Sequence, residues 1–233
     1  MSSAATTKQK SRFYDTIADS FDDLMNEYDV ARRLEVVFEE LLGGIDLTGL
    51  RLLDAGCGTG RFSEWADRRG ARVTSLDIGP MLLRRTRQRC TTSSACGDVT
   101  RLPFASGAFD VVISSECIEH TPDPRAAVGQ IIRVCRPGGL AVITSPNWTW
   151  RWSCTIAGLL GLRPYQGLEN WPGWFELRRW VREFGGACEI STGIHLFPFV
   201  IGGTQPLLRR LDRLGRTLGP LYVNQAVLIR KPE

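Results

Sequence analysis

The feature that most constrains this chain is the run Leu52-Leu53-Asp54-Ala55-Gly56-Cys57-Gly58-Thr59-Gly60, followed directly by Arg61 and Phe62. A short apolar segment breaks into three glycines at alternate positions, and helical spacing resumes at once. Glycine adopts positive φ without a Cβ clash, so the run reads as a strand turning sharply into a helix, with backbone that a ligand can approach closely. Seventeen residues after Gly60 a second strand ends in Asp77, where a carboxylate can accept hydrogen bonds from two ribose hydroxyls. A dinucleotide-binding domain shares both features. Its fingerprint, however, is G-x-G-x-x-G, with a pyrophosphate on the helix N-terminus, and this chain reads D-x-G-x-G-x-G. Asp54 at the strand end suits a ligand that carries an ammonium group and a sulfonium cation better than one that carries phosphates.

Short apolar strands alternate with amphipathic helices through most of the chain. Strands are expected over Arg51–Ala55, Arg72–Asp77, near Ser94–Gly97, Phe109–Ser115, Leu140–Ser145, Ala187–Ile194 and Tyr222–Ile229. The fourth and fifth are continuously apolar, as expected when helices cover both faces of a parallel sheet. Between them, Pro122-Asp123-Pro124 opens a helix that turns Val128, Ile131, Ile132 and Cys135 inward and ends at Pro137-Gly138-Gly139. The pattern predicts an α/β fold: a Rossmann-like, doubly wound, mostly parallel seven-stranded sheet that takes its ligands at the strands' carboxyl ends.

Residues 1–10 read as a disordered tail and residues 11–233 as a single domain. A first helix is expected over Ser11–Tyr28. A second carries Leu34, Val37, Phe38 and Leu41 on one face and closes at Gly43-Gly44. Together residues 11–45 would form a helical lid, with Phe13, Tyr14 and Phe21 facing the ligands. Residues 147–175 form a helical insertion after the fifth strand and hold Trp148, Trp150, Trp152, Trp171 and Trp174. Further helices are expected over Phe175–Phe184 and Leu207–Leu218.

From about Leu50 to Asn147 the chain resembles the class I S-adenosylmethionine-dependent methyltransferases. The likeness rests on the glycine loop, Asp77, Gly97-Asp98 after the third strand, the Phe109–Ser115 strand and Arg136-Pro137-Gly138-Gly139 before the fifth. It implies S-adenosylmethionine as cofactor, held by Asp54, Gly56, Cys57, Gly58, Gly60, Asp77, Ile78, Asp98, Val99, Ser114 and Ser115. Within that set, Asp98 would hold the adenine amino group and Val99 the ring edge, while Ser114 and Ser115 border the methionine moiety.

Methyl transfer is an in-line displacement at a carbon already activated by the sulfonium, so the protein must align the nucleophile and help remove a hydroxyl proton. Glu116-Cys117-Ile118-Glu119-His120 directly follows the fourth strand. As a helical turn it would bring Glu116, Glu119 and His120 to one face, able to bind a divalent metal or supply a general base. The segment resembles the O-methyltransferases of ubiquinone biosynthesis, and so does Thr192-Gly193-Ile194-His195. That resemblance implies magnesium at Glu116, Glu119 and His120, with His195 as a fourth catalytic group.

The net charge of +4 is carried by 26 Arg and 3 Lys spread along the chain. Nucleic-acid binding is not expected from so diffuse a distribution. Seven cysteines without C-x-x-C spacing read as reduced residues of a cytoplasmic protein. Residues 1–10 lack the apolar core of a signal peptide, and no run of eighteen apolar residues occurs. The five insertion tryptophans would wall an aromatic acceptor pocket or, with the Leu and Arg faces of Leu207–Leu218, touch a membrane surface peripherally. The reading is methyl transfer to a hydroxyl of a small phenol-, enol- or sugar-like acceptor by a monomer or homodimer. Transfer to nitrogen or carbon, and a non-catalytic S-adenosylmethionine-binding protein, are its rivals.

Overall fold

A computed structural model describes Asp22 and residues 25–153, 168–196 and 205–233, with the backbone alone at 205–208. The expected tail, the helix over residues 11–21 with Phe13, Tyr14 and Phe21, and residues 154–167 of the insertion lie outside the described residues.

Seven strands form one sheet: β1 (Arg51–Ala55), β2 (Arg72–Asp77), β3 (Ser93–Cys96), β4 (Phe109–Ser115), β5 (Cys135–Pro146), β6 (Ala187–Ile194) and β7 (Asn224–Arg230). Their order is β3-β2-β1-β4-β5-β7-β6. All neighbours are parallel except β7, which runs antiparallel to β5 and β6. The chain winds outward from β1 to β3 and then returns to β4, so the reversal between β1 and β4 opens a crevice at their carboxyl ends. Register brings Asp54 opposite Ile113 and Ser115 opposite Thr144 at that edge.

The central strands are apolar on both faces because both are covered. One face packs Leu53, Val112 and Ile143 against α4 (Pro124–Val134) and α5 (Trp174–Glu183). The other packs Leu52, Ile113 and Val142 under α1 (Glu27–Glu35), its π-helical continuation Val36–Leu41, and α2 (Arg61–Asp67). Between β2 and β3 runs α3 (Pro80–Arg89).

Four boundaries depart from the sequence pattern, each for a local reason. Tyr28 belongs to α1 and not to a preceding helix, because the Asn26 carboxamide accepts from the amides of Tyr28 and Asp29 and starts the helix there. The start of β5 lies at Cys135, so Pro137-Gly138-Gly139 falls inside a bulged strand. There the Gly138 amide donates to Lys231 O and the Lys231 amide to Gly139 O. β7 begins at Asn224, since Tyr222 is buried in the preceding loop with its hydroxyl donating to Leu211 O. The Leu207–Leu218 helix divides into α6 (Gln205–Asp212) and α7 (Gly215–Leu218). Gly215 lies so close to β6 that a Cβ there would stand 2.3 Å from Gly193 O.

Candidate active site

The glycine loop leaves β1 with φ of +84° at Gly56, +53° at Gly58 and +87° at Gly60. Each value lies in the left-handed region that only glycine enters without penalty. Leu76 O accepts from the Gly56 and Cys57 amides, which straps the loop to β2. Asp77 completes the strap: one carboxylate oxygen accepts from the Gly58 amide and the other from the Gly79 amide, both at 2.9 Å. The glycines also admit protein atoms. A Cβ on Gly56 would lie 2.2 Å from Cys117 Sγ, and one on Gly60 would lie 2.6 Å from the Thr86 methyl.

Asp54 is almost fully buried and accepts from the Ser63 hydroxyl at 2.7 Å. Burial pushes its carboxyl up to about 7, opposed by Ser63 and reinforced by the neighbouring Asp77. Two buried carboxylates at the ends of β1 and β2 make a site that a cation would relieve. The residues present therefore fit the ammonium and sulfonium of S-adenosylmethionine.

The other cofactor candidates divide. Asp98 accepts from the Thr100 amide at 2.8 Å and the Thr100 hydroxyl at 2.7 Å, capping the turn in which Val99 is buried. The Ser114 hydroxyl donates to Ala55 O, joining β4 to β1. Ser115 reaches the Thr144 hydroxyl at 2.9 Å. Cys57 points inward beside Thr86, and burial holds its thiol well above the usual range. Ile78 is half-buried at the turn after β2.

The Glu116–His120 segment is not one helical turn. Glu116 has φ of +50°, and a short 3-10 turn begins only at Ile118. The Glu116 carboxyl accepts from the Thr144 hydroxyl at 3.0 Å. Burial raises it to about 8, with Arg33 acting in the opposite sense. Glu119 is 1% exposed and also raised to about 8 by burial, and its Oε2 has no hydrogen-bond partner. His120 Nδ1 lies 3.0 Å from Leu168 O. A carbonyl only accepts, so the proton sits on Nδ1 and Nε2 is the basic nitrogen, 3.9 Å from Glu119 Oε1. Among the described residues no group of three His, Cys, Asp or Glu is placed to hold a metal ion. Glu116 turns its carboxyl to the Thr144 hydroxyl, so Glu116, Glu119 and His120 do not converge on one point as a magnesium ligand set would.

The residues that the sequence pattern misses come from the N-terminal segment. Asp22 accepts from the Thr59 hydroxyl at 2.6 Å and from Arg89 at 2.6 Å, which ties that segment to the glycine loop. From α1, the buried Arg33 donates to Asp29 at 2.8 Å and approaches the Ser115 hydroxyl at 3.4 Å. Asp29 in turn lies 2.9 Å from Nε2 of His195 at the end of β6. The Asp29-x-x-x-Arg33 spacing marks an ion pair along one helix face, but nothing local says that the face is buried over the sheet edge. The tryptophans split as well: Trp171 is buried, Trp174 packs on Gly219 and beneath Arg178, and Trp148 and Trp152 face solvent.

A doubly wound sheet with this loop defines the S-adenosylmethionine-dependent methyltransferase fold, and residues 53–143 match a family model described as a methyltransferase domain. The chain is 38% identical over 148 residues, 62% of this chain and 56% of the relative, to a malonyl-[acyl-carrier protein] O-methyltransferase of Serratia marcescens. It is 35% identical over 164 residues, 65% of each chain, to a ubiquinone biosynthesis O-methyltransferase of Alkalilimnicola ehrlichii. The chain thus spans little more than half the length of the first of these relatives. Its fold superposes on magnesium protoporphyrin IX methyltransferase from Synechocystis with bound S-adenosylhomocysteine. The TM-score is 0.69 and the identity 16%, over 97% of this chain and 99% of that one.

Proposed function

We propose that the protein transfers a methyl group from S-adenosylmethionine to a hydroxyl of a small-molecule acceptor. One observation carries the reading: Cys117 seats directly on Gly56, so the turn bearing Glu116, Glu119 and His120 adjoins the cofactor loop. When bound, S-adenosylmethionine supplies a methyl carbon made electrophilic by the sulfonium. Asp54 and Asp77 meet the cofactor's cationic and ribose groups, with Asp98 and Val99 at the adenine end and Ser114 and Ser115 near the methionine end. Glu116 and Glu119, both protonated near neutral pH, donate hydrogen bonds to the acceptor, and His120 Nε2 accepts from its hydroxyl and orients it. The names of both curated relatives specify oxygen as the methylated atom. A phenol, enol or sugar is the acceptor class in which a base beside the reacting oxygen has a hydroxyl proton to receive.

The test is labelled-methyl transfer from S-adenosylmethionine to a panel of phenols, enols, sugars and amines, with and without EDTA. Turnover of hydroxyl acceptors supports the reading. Turnover of amines alone moves the chemistry to nitrogen, and loss with EDTA that magnesium restores would bring a metal back to the 116–120 turn.

A second reading concerns the surface. Trp148, Trp152, Phe175 and Leu221 are 60%, 57%, 74% and 54% exposed. The Trp150 indole, stacked on Trp152, donates to Leu221 O, which joins the insertion to the loop before β7. Arg210, Arg213 and Arg216 are exposed nearby along the chain. An apolar ridge with adjacent cations suits peripheral contact with an anionic membrane surface. Among the described residues no helix is long and apolar enough to cross a membrane.

A further inference from the structure

The centre of β5 is apolar from Leu140 to Ile143, and a threonine with no exposure follows at position 144. Strand propensity alone would be served equally by valine, and a buried hydroxyl costs free energy unless it is hydrogen-bonded. Strand alternation turns Thr144 to the face that α1 covers, together with Val142, and register sets Ser115 of β4 beside it. Thr144 grips the residue after β4 at two points. The Glu116 amide donates to Thr144 O at 3.1 Å, and the Thr144 hydroxyl donates to Glu116 Oε1 at 3.0 Å. Glu116 has φ of +50°, one of two non-glycine residues at positive φ among those described. Such a conformation persists only where the surroundings over-determine it, and this clamp does so.

Proton counting gives the hydroxyls a direction. Each has one proton to donate, and a guanidinium only donates. The Thr144 proton goes to Glu116, so Thr144 accepts from Ser115 at 2.9 Å. The Ser115 proton is thereby committed, so Ser115 accepts from Arg33 at 3.4 Å, the longest link. Arg33 is in turn fixed by Asp29 at 2.8 Å. The donors therefore run one way, from a buried cation on α1 across β4 and β5 to one oxygen of one carboxyl. The cation favours the same sense, because it repels hydroxyl hydrogens and turns them toward the carboxyl. Chained donors of this kind polarise one another. Glu116 itself is half-buried, whereas Glu119 is 1% exposed.

We propose that Thr144 is a positioning residue for the reaction: its hydroxyl, directed by Ser115 and Arg33, holds Glu116 Oε1 so that Oε2 meets the acceptor. The proposal rests on the methyltransferase reading above and on the part given there to Glu116. Thr144 touches neither cofactor nor acceptor in this role and acts only through Glu116.

The experiment compares wild-type protein with Thr144→Val, Thr144→Ser, Glu116→Ala and the double variant Thr144→Val/Glu116→Ala. Each is first checked for melting temperature and for S-adenosylhomocysteine binding by calorimetry. Thr144→Val keeps the shape and removes the hydroxyl. It is expected to bind S-adenosylhomocysteine like wild type and to lose about 10-fold in kcat, with acceptor KM within about twofold. Thr144→Ser, which keeps the hydroxyl, should recover most of the rate. In the Glu116→Ala background, Thr144→Val should cost nothing further, because a residue that acts through a removed partner has no effect left to lose. Retention of kcat in Thr144→Val would overturn the proposal. So would a loss that Thr144→Ser does not recover, or one that adds in full to Glu116→Ala, since either marks Thr144 as a part of the strand alone. Wild-type kcat in Glu116→Ala would leave the chain with nothing to position. If wild-type protein binds no S-adenosylhomocysteine and methylates nothing, the methyltransferase reading fails first and takes this one with it.

Discussion

At the scale of single residues, the carboxyl edge of the sheet collects acids that the fold prefers to keep protonated. Asp54 is raised to about 7, and Glu116 and Glu119 to about 8. The folded chain therefore holds protons that the unfolded chain has released between pH ~4 and ~8, and stability falls as pH rises through that window. Thermal denaturation of the ligand-free protein should show a lower melting temperature at pH ~9 than at pH ~6. Glu119→Gln, which keeps a neutral side chain there, should flatten that slope, and an unchanged slope would mean that Glu119 is ionised throughout. Asp54 also predicts a cofactor effect. S-adenosylmethionine, cationic at sulfur, should gain affinity over S-adenosylhomocysteine as pH rises through ~7 and the carboxylate forms. Calorimetric titration of both ligands at two pH values reads this directly, and equal pH dependence for the two would place the sulfonium elsewhere. At Gly56 the expectation is steric. Alanine would meet Cys117 and hold a strained φ, so Gly56→Ala should lose S-adenosylhomocysteine binding even where it still folds.

At the scale of elements, α1 is the piece that turns an edge of strands into a site. Its Arg33 faces Asp29 and Ser115, while Arg32 on the neighbouring position pairs with Asp212 of α6 at 2.9 Å and Glu40 at 2.6 Å. Asp212 has no side-chain exposure and also accepts from the His195 amide. Removing one partner of a buried pair leaves an uncompensated charge, so Asp212→Ala should destabilise the protein by about 3–5 kcal/mol in denaturant titration. A loss below about 1 kcal/mol would show that water or Glu40 takes over. The start of α1 is a milder test. Asn26→Ala removes an N-cap, which costs about 1 kcal/mol, and should loosen Asp29 and Arg33 more than the glycine loop. Acceptor KM should then rise while S-adenosylhomocysteine affinity holds.

At the scale of the whole molecule, the exposed Trp148, Trp152 and Phe175 would make up the proposed apolar ridge. If that ridge meets lipid, the protein should sediment with anionic vesicles and not with neutral ones, and combined alanine substitution of Trp148, Trp152 and Phe175 should abolish this. Sedimentation that ignores lipid charge would leave the cations without a part. Sedimentation absent from both kinds of vesicle removes the membrane from the account.

Much of this architecture was legible because its causes are local. The alternation of short strands with helices places β1, β2, β4 and β6, the fourth strand by a continuous apolar run, and alternate glycines followed by a helix mark the glycine loop. Asp54, Asp77 and the 116–120 turn lie where strand ends put them, since a parallel strand's carboxyl end is set by its own length. Other features have distant causes. β5 begins early because Cys135 pairs with Phe109, and α6 ends because Gly215 must clear Gly193. Glu116 leaves the expected helical turn because Thr144 of the neighbouring strand holds its carboxyl. His195 is readable as a histidine beside a strand, but its 2.9 Å contact with Asp29 is not, because Asp29 lies 166 positions away in the sequence. The sequence by itself determined the sheet, the glycine loop and the position of the 116–120 turn, because each follows from hydrophobic period and backbone sterics within a few residues. Only the tertiary structure decided which charges are buried together, because desolvation and ion pairing depend on neighbours that the chain brings together only when it folds.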